Sequence, residues 1–309
     1  MVSKPHFHRL TDRKTPIYLL FLLPGLIYLI INNYLPMFGI FIAFKKLNFA
    51  TDIFHSPWVG LDNFIYLFKT KDTWIITRNT LLYNFVFIAL GTLLYIAVAI
   101  MVFEISTTKT VKAVQSFLLL PYMISFVIVS YLVFAFLGYD EGIINNSFLE
   151  GLGLKKINWY SNKQSWPFIL TIVFIWKYIG QNAIIYVATI SGISPSLWEA
   201  ASIDGATRWQ QIRYVALPAL RSTATILILM SIGRIFYSDF GLFYQVPMDS
   251  GKLYTVTQTI DTYVFRALMR SNSFEKASAA GLYQSVVGFV LVVLANFAVR
   301  NVDPENALF

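Results

Sequence analysis

The 309-residue chain has no cysteine, which excludes disulfides, thiolate metal sites and cysteine nucleophiles. Charge is scarce too. Asp, Glu, Lys and Arg make up 13% of residues, where a soluble surface carries about 25–35%. Histidine occurs only as His6, His8 and His55, with no ligand-type spacing to acidic residues. No Gly-rich run ends in Gly-Lys-Ser/Thr, so the chain has no phosphate-binding loop of its own. No series of carboxylates interrupts the apolar runs; Asp239 stands alone at the edge of one. These absences predict no catalytic constellation, no metal site and no cofactor on this chain. The net charge of +8 is scattered through polar segments. That suits an anionic membrane surface rather than nucleic acid, which calls for a single basic stripe.

What the chain has is apolar length. Hydrophobic residues make up 57% and aromatics 17%, and the mean hydropathy is +0.61. About 20 apolar residues cross a bilayer. Lys14 and Lys45 bound a run without any acidic or basic side chain, too long for a signal-peptide core. Further spans are predicted at 79–103, 113–137, 165–190, 218–237 and 277–299. Before the second, Leu61, Phe64, Ile65 and Phe68 recur at helical spacing among charged residues, as in a short interfacial helix that braces the structure. The expected architecture is an all-α integral membrane protein with six transmembrane helices over 16–299. A polar segment 1–15 precedes them and a tail 300–309 follows. Six crossings put both termini on one side, but Lys and Arg counts do not separate the two sides. Only Lys4, Arg9, Arg13 and Lys14 favour an inner N-terminus.

One polar stretch lies between the fourth and fifth spans. It runs Ser196-Leu197-Trp198-Glu199-Ala200-Ala201-Ser202-Ile203-Asp204-Gly205-Ala206-Thr207-Arg208-Trp209-Gln210-Gln211-Ile212-Arg213-Tyr214-Val215-Ala216-Leu217-Pro218. The pattern predicts two short helices. Ser194 or Ser196 can cap the first, Gly205 marks the bend because glycine tolerates angles other residues avoid, and Pro218 suits the first turn of a new helix. Each flanking span carries a cation, Lys177 in the fourth and Arg234 in the fifth. Such a charge at a bilayer centre costs roughly 2.5–3.5 kcal/mol on insertion scales and usually faces a bundle interior or a cavity; the alternative is that both snorkel or pair locally. Tyr178 and Gln181 accompany Lys177, and Ser231, Tyr237 and Ser238 accompany Arg234. Amide, hydroxyl, guanidinium and aromatic groups together suit a sugar, and Arg234 could pair a carboxylate bidentately. In the sixth span Ala277, Gly281, Ser285 and Gly288 permit close packing, either within the chain or with a partner.

Glu199-Ala200-Ala201, three residues, Gly205-Ala206, then an apolar-rich run to Leu217-Pro218 resembles the EAA motif of binding-protein-dependent ABC importer permeases. Leu23-Pro24-Gly25, Tyr34-Leu35-Pro36-Met37-Phe38-Gly39, Val59-Gly60-Leu61-Asp62-Asn63-Phe64 and the closing Asp303-Pro304-Glu305-Asn306-Ala307-Leu308-Phe309 resemble the polysaccharide-type branch of carbohydrate permeases. The resemblance spans nearly the whole chain. It implies a non-catalytic permease subunit in the cell membrane, with both termini and the EAA-like loop cytoplasmic. It implies a second homologous permease, two ATPase subunits holding ATP and Mg, and an extracellular solute-binding protein. Glu199, Ala200, Ala201, Asp204, Gly205 and Ala206 would couple to the ATPases, and Tyr178, Gln181, Ser231, Arg234 and Ser238 would contact the solute. The alternatives are a membrane-embedded enzyme acting on lipid-linked sugars, which should show intramembrane carboxylates or histidines, and a scaffold without a pathway.

Overall fold

The computed structural model describes residues 15–47, 52–105 and 107–302. His6, His8, the basic segment before Thr15 and the motif from Asp303 to Phe309 lie outside the described residues. Within them there is no β-strand, only an isolated bridge between Lys45 and Trp58. The chain is an all-α membrane protein with six crossings, five by a single span and one by a broken pair of helices.

The first crossing, Ile17–Phe44, begins as α1 (Thr15–Leu29) and continues through a π-helical turn, Ile30–Tyr34, just ahead of Pro36. A widened turn accommodates a proline that cannot donate to the helix ladder. Almost none of this span is buried; Tyr18 is 66% and Phe21 80% exposed. The predicted brace is α2 (Asp62–Lys69). Asn63 Nδ2 donates to the carbonyls of Ala43 and Lys45, both at 2.9 Å, and Phe68 meets Tyr283 edge-on at 5.3 Å. The brace thus ties the end of span one to span six.

Span two, α3 (Lys71–Phe103), has 33 residues. At 1.5 Å per residue it is about 50 Å long, more than a hydrocarbon core of about 30 Å needs. Span four, α6 (Trp166–Ser191), packs along it, with Phe87 and Phe174 stacked at 3.8 Å and 6°. Gly180 lets span three approach closely, since a Cβ there would lie 2.0 Å from the Leu118 carbonyl oxygen.

Two expected spans differ from their predicted form. The third is not one helix. It is α4 (Thr108–Met123) and α5 (Phe126–Leu137), bent by 94°. Pro121 in the last turn of α4 removes one ladder donor, and Ile124 and Ser125 are extended, with ψ of 133° and 151°. Ser125 then caps α5 through Ile128 N at 3.4 Å. The fifth span starts earlier and ends earlier than 218–237. Helix α7 (Pro195–Ile203) closes at Gly205, and α8 (Arg208–Gln211) runs through a π-helical turn, Ile212–Ala216, into α9 (Leu217–Ile232). The second short helix is therefore the first turn of span five. Pro218 sits inside that span, where the widened turn makes room for its ring.

After Ile232 the chain is unwound to Asp239 and then folds back as a compact cap. Leu242, Phe243, Val246 and Leu253 of the cap are buried in a core with Tyr83, Phe87, Trp166 and Leu170. Its tip holds two non-glycine residues in the left-handed region, Met248 (φ 51°) and Asp249 (φ 46°). Arg266 Nε pins this turn through Asp249 at 2.8 Å, and Arg270 bonds the same carboxylate, which holds the Arg270 guanidinium above its ordinary pKa. Burial pushes the Tyr160 phenol beneath the cap up to about 12. Helix α10 (Ile260–Met269) leads to span six, α11 (Phe274–Val302). The small residues of span six do not share one face. Ala277 is buried and Gly288 lies against Phe236, while Gly281 meets open space and Ser285 is exposed.

Candidate functional site

The unwound stretch after span five sets the site. Irregular backbone at membrane depth is tolerated only when buried in protein or lining a cavity. Here side chains from spans two and six and from α10 take up its groups. Asn84 Nδ2 donates to the carbonyls of Ile235 (2.9 Å) and Tyr237 (2.8 Å), and Gln284 Nε2 to that of Phe236 (2.9 Å). Ser238 donates its N–H to Asp261 at 2.7 Å. Beside this stretch lies a cavity of about 550 Å³. Span two lines it with Asn84, Phe87, Thr92 and Tyr95, and span four with Phe174, Tyr178, Gln181 and Asn182. The fifth span and its extension contribute Ser231, Arg234, Tyr237, Ser238 and Asp239.

All five solute residues expected from the sequence line this one cavity, but their chemistry differs. Ser238 Oγ is held at 2.7 Å from both Thr259 Oγ1 and Asp261 Oδ2. Ser231 Oγ bonds back to Leu227 O at 2.8 Å. Tyr178 donates to Asp239 Oδ2 at 2.5 Å. Gln181 and Arg234 make no side-chain hydrogen bond or ion pair among the described residues, and Arg234 is exposed. The Tyr237 hydroxyl likewise makes no hydrogen bond among the described residues, and these three polar groups sit among the aromatic faces of Phe87, Tyr95, Phe174 and Tyr178.

Lys177, expected beside Arg234 on the cavity wall, lies elsewhere. It is 4% exposed and donates to the carbonyls of Pro121 and Tyr122, both at 3.2 Å, and of Ile124. Its charge is spent on the broken third span. The sequence reading also missed the contribution of span two. Asn84, Ile88, Thr92 and Tyr95 follow helical spacing, and the polar members of that stripe inside an apolar span were the available signal.

On the opposite face the six coupling candidates gather on α7 and its turn. Gly205 takes φ 74°, with Ala206 N returning to Ala201 O at 2.9 Å, a Schellman-type close. Glu199, Ala200, Asp204 and Gly205 are exposed; Ala201 and Ala206 are half-buried. Trp198 packs against Phe103 with the rings tilted and 5.3 Å apart, Arg208 Nε lies 4.0 Å from Glu104, and buried Gln211 donates to Ser202 Oγ at 3.0 Å. Ser194 sits at the start of α7 without a capping bond. Thr207 and Gln210 instead form a capping box at α8. These contacts fasten the loop to the ends of spans two and five and leave Glu199, Leu197 and Ile203 outward, the last 85% exposed.

The chain resembles known transport proteins along almost all of its length. It is 34% identical to the polygalacturonan/rhamnogalacturonan transport system permease protein YteP of Bacillus subtilis (strain 168), over 93% of this chain and 88% of the relative. It is 30% identical to Protein LplB of the same organism, over 93% and 89%. Among solved structures, a chain of a bacterial ABC transporter involved in the import of the acidic polysaccharide alginate superposes with a TM-score of 0.86. The identity is 32%, covering 96% of this chain and 100% of that one. Residues 106–306 match the family described as binding-protein-dependent transport system inner membrane component. That stretch contains spans three to six, the exposed loop and two of the three cavity walls. The chain belongs to that family, as a membrane-embedded permease of a binding-protein-dependent ABC transporter.

Proposed function

We propose that this permease conducts an acidic oligosaccharide as one half of the pathway of an ATP-driven importer. The observation that carries this reading is Arg234. It is a guanidinium without a carboxylate partner among the described residues, open to a cavity whose wall also offers the Gln181 amide, the Tyr237 hydroxyl and aromatic faces. Sugar rings stack on such faces, and guanidinium pairs bidentately with a uronate carboxylate. The relatives support the class, since one is named for polygalacturonan and rhamnogalacturonan and another for alginate. An enzyme acting on lipid-linked sugars has no support in the family.

The assembly follows the same lines. A second homologous permease completes the pathway, and two ATPase subunits holding ATP and Mg dock on the exposed Glu199–Gly205 segment from the cytoplasm. A solute-binding protein delivers the glycan from outside. A solved alginate transporter contains a pentasaccharide-bound periplasmic protein. Movement of the loop would shift the permease pair between inward and outward states, each ligand favouring the state it binds better.

The test is uptake by the reconstituted complex. Arg234→Ala should raise KM for a uronate oligosaccharide about tenfold, or about 1.4 kcal/mol, and affect a neutral oligosaccharide less. Equal KM values for parent and variant with the acidic solute would remove Arg234 from the site.

A further inference from the structure

The break in span three creates a backbone problem that its own side chains do not solve. Pro121 O still accepts from Ile124 N at 3.3 Å, but the carbonyls of Tyr122 and Ile124, at the end of α4, are left by the break at membrane depth, where unsatisfied polar groups are costly. Lys177 Nζ, reaching from span four, donates to all three. An ammonium has three N–H donors, so its whole capacity goes to this break. It also lies 4.7 Å from the ring centroid of Phe126, the first residue of α5. No carboxylate forms an ion pair with it among the described residues.

Phe126 in turn touches the start of the cap, just after the second irregular stretch. At Gly241 an added Cβ would sit 2.4 Å from Phe126 Cδ2, so only glycine allows this approach. Two residues earlier, Asp239 accepts the hydrogen bond of Tyr178. Neighbouring side chains on one turn of span four thus grip both irregular stretches. Lys177 holds the break of span three, and Tyr178 holds the chain after span five.

We infer that Lys177 is a positioning residue of the transport pathway. It locks the break of span three to the helix that carries Tyr178 and Gln181, so that break, cavity wall and post-span-five stretch move as one body. It touches no solute. Without the ammonium, the carbonyls of Tyr122 and Ile124 lose their Lys177 donor and the break can slide or straighten toward ordinary helix bonding. This inference rests on the permease reading only for its uptake measurement; its local measurement needs no solute.

The experiment uses the full complex in proteoliposomes. Ile124→Cys serves as a reporter thiol at the half-buried break in a chain that has no other cysteine. Lys177→Met should speed maleimide labelling of the reporter about fivefold without solute, because local opening becomes easier. It should lower maximal uptake about tenfold while KM stays within about twofold, the pattern of a group that does not bind solute. Lys177→Arg, which keeps a cationic donor, should return both to within about twofold of the parent. Phe126→Leu removes the ring face but keeps the charge. It should shift labelling in the same direction by about twofold, and it decides the matter if Lys177→Met does not assemble. Parental labelling in the assembled Met variant, or failing that in Phe126→Leu, overturns the inference, as does an Arg variant as damaged as Met. A failed Arg234 test alongside shifted labelling would sink the acidic-glycan reading and leave this one standing.

Discussion

Lys177 and Arg234 show how two cations of equal sequence standing acquire different work. Both interrupt apolar spans, both have tyrosines and amides nearby, and both flank the exposed loop. A buried charge must find partners, and Lys177 finds three carbonyls of another span. Arg234 finds none among the described residues and faces the cavity. Ser238 makes the converse point. Its position on the wall is what the sequence suggests, but its hydroxyl belongs to the knot with Thr259 and Asp261 that holds the unwound stretch. Ser238→Ala should therefore act on stability more than on recognition. Loss of a hydrogen bond to a carboxylate amounts to about 1.5–3 kcal/mol, and the backbone N–H of residue 238 and Gln284 still serve Asp261, so the low end applies. Thermal unfolding of the purified complex should show the drop, while KM for solute stays within about twofold. A large KM increase with unchanged thermal stability would return Ser238 to the list of solute ligands.

At the scale of the element, hydropathy finds where spans lie and says little about how they are interrupted. The run 113–137 is almost continuously apolar, so its 94° break is invisible to any periodicity within it; the side chain that makes the break tolerable comes from residue 177. The end of span five had a local signal in Gly233, but the unwound stretch is held by Asn84, Asp261 and Gln284, three residues from three other elements. The capping box of Thr207 and Gln210 has a fixed spacing that the sequence reading passed over, placing its cap at Ser194 or Ser196 and the start of span five near Pro218; the box marks α8 as the start of span five. Gly205 was legible, since a positive φ demands a particular residue. Its φ is 74° and nothing lies within 4 Å of where a Cβ would stand, so substitution there meets backbone strain without a clash. Gly205→Val should incur the left-handed penalty of about 1–2 kcal/mol and distort the α7 turn. The expected result is an assembled complex whose ATP hydrolysis responds weakly to solute-loaded binding protein. Gly205→Asn, which tolerates that backbone region, should respond almost as the parent does. Equal stimulation of both variants would separate this turn from coupling.

For the whole molecule, the decisive quantity is which side each connection faces. Six crossings place Thr15, the 104–107 connection, the 192–207 loop and Val302 on one side, and the brace α2, the 138–165 connection and the cap on the other. Charge does not choose between the two orientations, because the segments on the cap side, from Lys45 to Arg78, 138–165 and 238–276 together, carry as many Lys and Arg as the loop side. They need them for other purposes: Lys45 donates to the carbonyls of Ile53 and Phe54, Arg266 pins the strained turn at Asp249, and Lys156 pairs with Glu150. A positive charge engaged in structure contributes to a raw count as much as one that sets topology, so the count loses its meaning here. Orientation can instead be read directly, because the chain has no cysteine and any introduced thiol is a unique probe. Ser196→Cys on exposed α7 and Lys163→Cys on the exposed opposite connection should label in complementary ways. In intact cells a membrane-impermeant maleimide should modify position 163 and leave 196 untouched; in inverted vesicles the pattern should reverse. The opposite result would turn the cavity's capped end to the cytoplasm and put the Glu199–Gly205 segment out of reach of any cytoplasmic ATPase.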